Sequence, residues 1–481
     1  MSHCPSFRGL GQGFIALALL LGTASALPTI VCAQESGGSG APSIIRDTEI
    51  EGDIKSWVEP VMRAGGLNPA AVHIIIVESN DVNSFVAGGP NIFIYPGLLE
   101  KSDNPGEIVG VLAHEMGHIR GGHLIRAQEA MQDASYESLL GTLLGIGAAV
   151  ASHNGGAAAA GVGGAQTSAM GSYLAFSRVQ EASADQSALY TLQQACMSPK
   201  GLLTFMQKLG AAEPLLYTQQ DAWARTHPLT QDRVDAMQAG YDRSPCRDKQ
   251  LSPEIQEQYK RIIAKLKAFI SPERIAWDYS DHDHSIPADY ARAIASYRQN
   301  HVNEALKDID ALLQREPKNP YFLELKGQML VDFGRVEQAL PPYREALGLH
   351  PEAPLIRISY GNALIETSDK DPKRLDEAID QLERAIRDEP HSSYIDHLLA
   401  TAWGRKGNEP MAKLFLAEEA LLEGQKKHAR EEAQAAMHGL KPGTMPYLRA
   451  QDILSYVDQN KKKDKNSDGG QDRDRDGDRG H

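Results

Sequence analysis

Residues 114–118 read His-Glu-Met-Gly-His (HEMGH), within an apolar stretch that predicts a buried helix starting at Pro105. Positions i and i+4 share one face of a helix, so His114 and His118 can both reach one metal ion. Glu115 is turned by about 100° from His114, which lets its carboxylate contact a metal-bound water. Neutral imidazoles suit Zn²⁺, so the motif predicts one zinc ion per chain. Chance HExxH matches occur in long chains, but two histidines and a glutamate buried without a function would be costly.

A catalytic zinc site needs a third protein ligand and an open fourth position. His123 is the nearest candidate, but it lies about 140° around the helix from His118. Gly121 and Gly122 are also expected to end the helix before it. The sequence therefore excludes His123 as a ligand.

The stronger candidate for the third ligand is Glu181, which shares a predicted helix with Asp185 at i,i+4 spacing. Glu181 can bind zinc, while Asp185 can accept a hydrogen bond from a ligand imidazole and fix its tautomer. The alternative is a solvated acidic helix face. The alanines at 182, 184 and 188 favour a closely packed helix and therefore a site.

Two short strands precede the zinc helix, at residues 73–77 and 91–95. A turn at Gly88-Gly89-Pro90 predicts that residues 85–94 form a hairpin. An edge strand there could pair with an extended peptide substrate through backbone hydrogen bonds, with Asn83, Phe85 and Ala87 as the tentative contact residues.

From Pro287 onward the sequence repeats. The alanines at 305, 339, 378 and 412 are spaced by 34, 39 and 34 residues, and prolines follow the first three at a constant distance, at 317, 351 and 390. A 34-residue period with small residues at helix crossings is typical of tetratricopeptide (TPR) repeats, which stack into a solenoid with a concave binding surface. The third repeat carries an insertion near residues 369–372.

The chain has 481 residues, with 49 basic and 63 acidic side chains and a net charge of −14. This balance argues against a nucleic-acid partner, and the 42% hydrophobic content excludes wholesale disorder. Residues 1–33 resemble a secretory signal peptide, because a short apolar core follows Arg8 and small residues precede Gln34. A membrane anchor is the alternative, but the core is short for a bilayer of about 30 Å. After export, Cys196 and Cys246 would lie in an oxidising compartment; the sequence leaves open whether they pair.

The apolar, glycine-rich segment 139–172 has three interpretations: a mobile loop covering the zinc site, a peripheral membrane contact, or a buried helical hairpin. The fold class is mainly α (α+β): a zincin-like metallopeptidase domain with a small β-sheet, followed by an α-helical TPR solenoid. The predicted boundaries are a signal peptide (1–33), a linker (34–43), a peptidase domain (44–250), a helical connector (251–286), a TPR domain (287–455) and a disordered charged tail (456–481).

HEMGH, the downstream SRVQEASAD at residues 177–185 and THPLTQDR at 226–233 together resemble the HtpX/CAAX-protease clan of gluzincin peptidases. The signal and the repeats are similar to its TPR-bearing periplasmic branch. The resemblance implies His114, His118 and Glu181 as zinc ligands, Glu115 as general base and Asp185 as their support. It also implies that His227, before Pro228, is a latent fourth ligand; a structural histidine is the alternative.

The resemblance further implies an endopeptidase of the periplasm, associated in some members with the outer membrane, that cleaves unfolded or misassembled envelope proteins. Its TPR domain would bind clients or the outer-membrane β-barrel assembly complex. The alternative is an assembly factor or chaperone for outer-membrane proteins with a latent protease site.

Overall fold

The computed structural model describes residues 44–79, 81–123, 178–210 and 222–468. Helices and strands are numbered in chain order within these ranges. The predicted signal peptide, linker and segment 139–172 lie outside the described residues. Within the described ranges, no helix is long and apolar enough to cross a membrane.

A four-stranded sheet has the order β1-β2-β4-β3. Its strands are β1 (Ile44–Ile45), β2 (His73–Val77), β3 (Ser84–Ala87) and β4 (Asn91–Ile94). Strands β3 and β4 form the predicted antiparallel hairpin, closed by Gly88 and Gly89, which both adopt positive φ. Strand β2 pairs with β4 in parallel, so β3 lies at the edge of the sheet.

Helices pack around this sheet to form the N-terminal region. They are α1 (Thr48–Ala64), α2 (Pro96–Lys101), α3 (Pro105–Arg120), α4 (Arg178–Gln194), α5 (Lys200–Gly210), α6 (Ala222–Thr226), α7 (Gln231–Arg243) and α8 (Pro253–Ile270). One apolar core joins α1, the sheet, α3 and α5, and Trp57 and Phe205 are among its largest fully buried side chains.

Helix α3 lies unusually close to its neighbours because glycine faces them. A Cβ atom at Gly117 would lie 2.6 Å from the Ala184 carbonyl oxygen of α4, and one at Gly110 would lie 2.4 Å from the Leu202 nitrogen of α5. These close approaches fix the position of α3 against both helices.

Paired helices follow, after a short connecting helix α9 (Ile275–Asp278). They are α10 (Ile286–Arg298), α11 (Val302–Arg315), α12 (Pro320–Asp332), α13 (Val336–Leu349), α14 (Pro354–Glu366), α15 (Arg374–Asp388), α16 (Ser393–Arg405), α17 (Glu409–Leu422), α18 (Lys426–Gly439) and α19 (Met445–Asp468). The four repeating alanines are buried on α11, α13, α15 and α17, the second helix of each successive pair. The predicted insertion lies in the loop between α14 and α15.

The last helix is longer than the sequence predicts. Helix α19 runs to Asp468, past the boundary at residue 455. Val457 is buried and belongs to an apolar cluster with Ala450 and Ile453, so these contacts extend the ordered chain into the predicted tail.

A buried polar network joins α1 to the first repeat helices. The Lys265 ammonium of α8 contacts Asp47 at 2.8 Å and Glu49 at 3.1 Å, and the Tyr290 hydroxyl of α10 donates to Glu49 at 2.8 Å. Beyond it, Arg46 forms an ion pair with Glu389, in the loop after α15. The N-terminal end of α1 therefore lies against the repeat helices.

Cys196 and Cys246 form a disulfide, with Cα atoms 5.3 Å apart. It joins the end of α4 to the segment that follows α7. The pairing that the sequence left open is therefore present.

Candidate metal centre

Four buried side chains converge between α3, α4 and the segment after α6. His114, His118, Glu181 and His227 each offer one ligand atom, and these atoms lie within 4.8 Å of one another. All four side chains have no solvent exposure. The structure thus brings together residues from three separate stretches of sequence.

Helices α3 and α4 supply three of these groups. The Nε2 atoms of His114 and His118 are 3.1 Å apart, as expected for i,i+4 residues on one helix face. Glu181 lies opposite them, with Oε2 3.4 Å from His114 Nε2 and Oε1 3.5 Å from His118 Nε2. Two imidazoles and one carboxylate are the donor set that zinc binds in hydrolytic enzymes.

Asp185 and Arg233 hold this arrangement from behind. Asp185 Oδ1 lies 2.8 Å from His114 Nδ1, which leaves Nε2 directed at the cluster. Arg233 of α7 donates to both Asp185 oxygens, at 2.7 and 3.0 Å, and contacts Glu181 Oε2 at 3.0 Å. It also donates to the Pro228 carbonyl at 2.8 Å, so one guanidinium links α4 to the His227 segment. Arg233 is therefore the salt-bridge partner of both Asp185 and Glu181.

The charge around His114 favours a cation. Burial alone lowers its pKa, but the hydrogen bonds to Asp185 and Glu181 outweigh burial and raise the pKa to about 10. Burial raises the pKa of the Asp185 carboxyl, yet its bonds to His114 and Arg233 leave that pKa below the usual value. Burial also raises the pKa of the Glu181 carboxyl, but His227 and His114 lower it below the usual value. Both Asp185 and Glu181 therefore remain charged, and the site attracts positive charge to the histidine nitrogens.

Glu115 lies beside the cluster with one oxygen engaged. Its Oε1 accepts a hydrogen bond from the Ser84 hydroxyl at 2.7 Å. Its Oε2 is buried and has no hydrogen-bond partner among the described residues. An orphaned carboxylate oxygen at this place suits a group that takes a proton from a bound water. Sequence reasoning missed Ser84, although it lies between two residues named for the edge strand.

His227 enters the cluster from the segment that follows α6. Its Nδ1 lies 3.2 Å from Glu181 Oε1 and 3.4 Å from His114 Nε2, and its Nε2 lies 3.7 Å from Glu115 Oε1. Trp223, one turn earlier, covers the ring. Sequence reasoning missed Trp223, and only its nearness to His227 along the chain could have indicated it.

His123 is not part of the cluster but contacts one member of it. Its Nδ1 lies 2.9 Å from His118 Nδ1, on the side of the ring that faces away from the other ligand atoms. Helix α3 ends at Arg120, as the two glycines predict.

The three residues predicted to contact a peptide at the edge strand lie in two different surroundings. Asn83 is buried, and its Oδ1 accepts from the Thr226 hydroxyl at 3.4 Å, which brings it beside the His227 segment. Phe85 stacks on Phe93 with ring centroids 4.9 Å apart, and Ala87 packs in the same small apolar cluster. The side chains of Phe85 and Ala87 therefore do not reach the metal cluster, and only their backbone could serve an extended ligand.

Comparison with known families and proteins follows the same division of the chain. The model of Peptidase family M48 matches residues 49–240, and a tetratricopeptide repeat model matches residues 290–354 and 326–393. The chain is 24% identical over 386 residues to the Beta-barrel assembly-enhancing protease of Escherichia coli (strain K12), which covers 78% of this chain and 76% of that protein. It is 31% identical over 173 residues to Metalloprotease LoiP of the same organism, covering 35% of this chain and 62% of that protein.

Among solved structures, the chain is similar to YrrB, described as a TPR protein with an unusual peptide-binding site. The identity is 19%, the TM-score is 0.31, and the match covers 37% of this chain and 91% of that one. The peptidase model matches the N-terminal part of the chain, and the repeat model matches a later part. The chain therefore carries a metallopeptidase domain of family M48 followed by tetratricopeptide repeats.

Proposed function

We propose that this metallopeptidase is an exported zinc endopeptidase that hydrolyses peptide bonds of unfolded or misassembled envelope proteins. The observation that carries the proposal is the buried convergence of His114, His118 and Glu181 beside the unpartnered oxygen of Glu115. The buried carboxylates of Glu115, Glu181 and Asp185 outnumber the guanidinium of Arg233 that pairs with two of them, and a bound metal cation would offset the remaining negative charge.

His114, His118 and Glu181 would hold one Zn²⁺ through the two Nε2 atoms and the carboxylate. This donor set fits zinc better than Mg²⁺ or Ca²⁺, which prefer oxygen ligands alone. When bound there, zinc lowers the pKa of a coordinated water and polarises a carbonyl. Asp185 keeps the His114 proton on Nδ1, and Arg233 holds Asp185 in place.

Glu115 would act as the general base and later pass the proton to the leaving amine. The Ser84 hydroxyl holds Oε1, so Oε2 keeps a fixed direction and remains able to accept a proton. Ser84 also begins strand β3, so the base is tied to the strand that we propose pairs with the substrate.

The backbone of β3 would bind an extended peptide at the edge of the sheet. Edge pairing uses main-chain groups and therefore tolerates many substrate sequences, as an enzyme of unfolded chains requires. Asn83, Phe85 and Ala87 mark this binding line, with Phe85 and Ala87 contributing backbone rather than side chains toward the site.

His227 would keep the enzyme latent. Its ring contacts Glu115, Glu181 and His114 at distances between 3.2 and 3.7 Å, and so fills space that a water and a scissile carbonyl need. Because His227 directly follows the short helix α6 and precedes Pro228, rotation of this segment would withdraw the ring.

A second candidate function is that of an assembly factor or chaperone for outer-membrane proteins, with proteolysis kept in reserve. The name of the Escherichia coli relative, which refers to β-barrel assembly, favours it, as does the presence of His227 in the site. In both cases the TPR region would bind clients or the β-barrel assembly complex, and the protein would work in the periplasm, in contact with the outer membrane.

One comparison tests both candidates. Wild-type protein and Glu115→Gln are assayed for casein cleavage and, in cells, for outer-membrane protein assembly, with zinc content measured for both and for His114→Ala. We expect Glu115→Gln to retain zinc and lose cleavage, and His114→Ala to lose zinc. Cleavage by a zinc-loaded Glu115→Gln protein would refute the peptidase mechanism, while full assembly activity of that variant would favour the second candidate.

A further inference from the structure

His123 is buried against the back of His118. Only 3% of His123 is exposed, its Nδ1 lies 2.9 Å from His118 Nδ1, and the two rings meet edge to face with centroids 5.0 Å apart. A separation of 2.9 Å between two ring nitrogens is a hydrogen-bond distance, so one of them donates and the other accepts.

A glycine turn makes this contact. Helix α3 ends at Arg120, and Gly122 adopts a φ of 59°, the left-handed conformation that reverses the chain. A Cβ atom at Gly121 would lie 2.3 Å from His123 Nε2, so the imidazole packs directly over that glycine. The absence of a side chain at Gly121 leaves space for the imidazole, and the positive φ of Gly122 turns the chain so that His123 faces His118.

The direction of the hydrogen bond follows from the other side of the His118 ring. His118 Nε2 faces the cluster, 3.1 Å from His114 Nε2 and 3.5 Å from Glu181 Oε1. To bind a metal, Nε2 must present its lone pair, so the proton of neutral His118 lies on Nδ1. His118 Nδ1 then donates to His123 Nδ1, and His123 carries its own proton on Nε2.

We propose that His123 is a positioning residue for the metal site, which fixes the ring orientation and tautomer of His118. This inference rests on the proposed function, in which His118 is a metal ligand. It gives the two histidines of HEMGH separate supports: Asp185 behind His114 and His123 behind His118.

Asp185 and His123, the two residues that hold the ligand imidazoles, differ in charge, and this difference limits the negative charge buried at the site. Asp185 is an anion paired with Arg233, whereas His123 is an imidazole, which can accept a hydrogen bond while it is neutral. A second carboxylate, placed behind His118, would add another buried negative charge to a site that already holds several carboxylates. A neutral imidazole accepts the same hydrogen bond without that cost.

The test is zinc affinity, measured by chelator competition on the full-length protein. Wild type is compared with His123→Ala, His123→Gln, Gly121→Ala and His114→Ala, and Gly348→Ala serves as control because a Cβ there meets nothing within 4 Å. We expect His123→Ala to bind zinc about 10–100-fold more weakly, which is the usual cost of losing such a support. His123→Gln, whose amide oxygen can accept the bond, should recover most of that loss. Gly121→Ala should weaken binding by displacing an intact His123.

A second readout separates positioning from general stability. In zinc-loaded protein with ¹⁵N-labelled histidine, the protected Nδ1–H signal of His118 should be present in wild type and lost in His123→Ala, while the unfolding temperature of the zinc-depleted proteins changes little.

Three results would overturn the inference. His123→Ala could bind zinc within about twofold of wild type, or His123→Gln could bind zinc no better than His123→Ala. The third is that the loss of zinc-binding free energy equals the loss of unfolding free energy in the zinc-depleted protein. Failure of the proposed function looks different. In that case wild type and His114→Ala would bind zinc equally or not at all, and the role of His123 would fall with the site.

Discussion

Trp223 stacks on His227, with ring centroids 4.9 Å apart and planes inclined by 25°. The backbone N–H of Trp223 also donates to the Val82 carbonyl at 2.8 Å, two residues before edge strand β3 begins. The residue that covers His227 is thus anchored beside the strand that we propose receives the substrate. A peptide that pairs with β3 would therefore bind beside this anchor.

Replacing His227 should activate the enzyme. In His227→Ala, the three proposed ligands and Glu115 remain, while the ring that fills the site is removed. We expect casein cleavage to rise several-fold with one zinc ion retained per chain. The matched control is His284→Ala, an exposed histidine outside the site. Lower cleavage by a zinc-loaded His227→Ala protein would show instead that this histidine takes part in the reaction.

Arg233 should not be replaceable by lysine. Its guanidinium contacts both oxygens of Asp185 and one oxygen of Glu181, a geometry that a single ammonium cannot reproduce. We expect Arg233→Lys to weaken zinc binding by about 10–100-fold in a chelator competition. Arg243→Lys, an exposed change on the same helix, is the control. Unchanged affinity in Arg233→Lys would mean that Asp185 needs no such support.

Removing the disulfide should destabilise the fold without touching the metal cluster. The bond closes a loop with a sequence separation of 50, for which chain entropy predicts a loss of about 4 kcal/mol in the free energy of unfolding. Urea unfolding of the double variant Cys196→Ser, Cys246→Ser measures this loss. Added reductant should leave the unfolding curve of this variant unchanged, whereas it should shift the curve of wild type toward that of the variant. No shift in wild type would contradict the prediction.

Lys265 should hold the peptidase and repeat regions together. Lys265→Met leaves the buried Glu49 and the partly buried Asp47 without their cation, which we expect to cost about 3–5 kcal/mol in the free energy of unfolding. Lys267→Met, two residues along the same helix, breaks only a more exposed pair with Asp278 and should cost less than about 1 kcal/mol. Adding Glu49→Gln to Lys265→Met should restore part of the loss. Equal effects of the two lysine variants in thermal or urea unfolding would count against the network.

Stability should fall as pH rises through the range in which Asp396 ionises. Burial and the nearby Glu418 raise the pKa of Asp396 to about 7, although Arg449 lowers it. The Oδ1 atom of Asp396 is buried and has no hydrogen-bond partner among the described residues. An unfolded aspartate releases its proton near about pH 4, so between these values the native state binds more protons than the unfolded state. Stability therefore decreases with pH across this window.

The variant Asp396→Asn tests this slope, because asparagine cannot ionise. We expect it to be more stable than wild type at pH 8, by about 1–3 kcal/mol, with the difference shrinking toward pH 4. Urea unfolding at several pH values measures it, with the exposed Asp388→Asn as control. A pH-independent difference would assign the effect to packing rather than to charge.

The sequence predicted much of the centre because its parts follow helical spacing. His114 with His118, and Glu181 with Asp185, are pairs at i,i+4, and any helix at those positions must put each pair on one face. The glycines at 121 and 122 likewise predicted where α3 ends. The repeating alanines predicted the helix crossings, since a small residue is needed wherever two helices cross closely.

Other features are contacts between residues far apart in the sequence, which helical spacing cannot predict. The bond from Ser84 to Glu115 and the stack of Trp223 on His227 arise where the sheet, α3 and α6 meet. The junction of Lys265 with Glu49 and Tyr290 joins residues more than two hundred positions apart. The end of α19 differed from prediction because Val457 packs against a helix surface that a charge-rich sequence does not reveal.

His227 lies within the stretch that Cys196 and Cys246 enclose, together with α5, α6 and α7. A single cut of the backbone anywhere between residues 197 and 245 would therefore leave the two fragments covalently joined. A molecule nicked there by another protease would migrate as one species until it is reduced. The fragment bearing His227 could not diffuse away from the helices that carry the proposed zinc ligands.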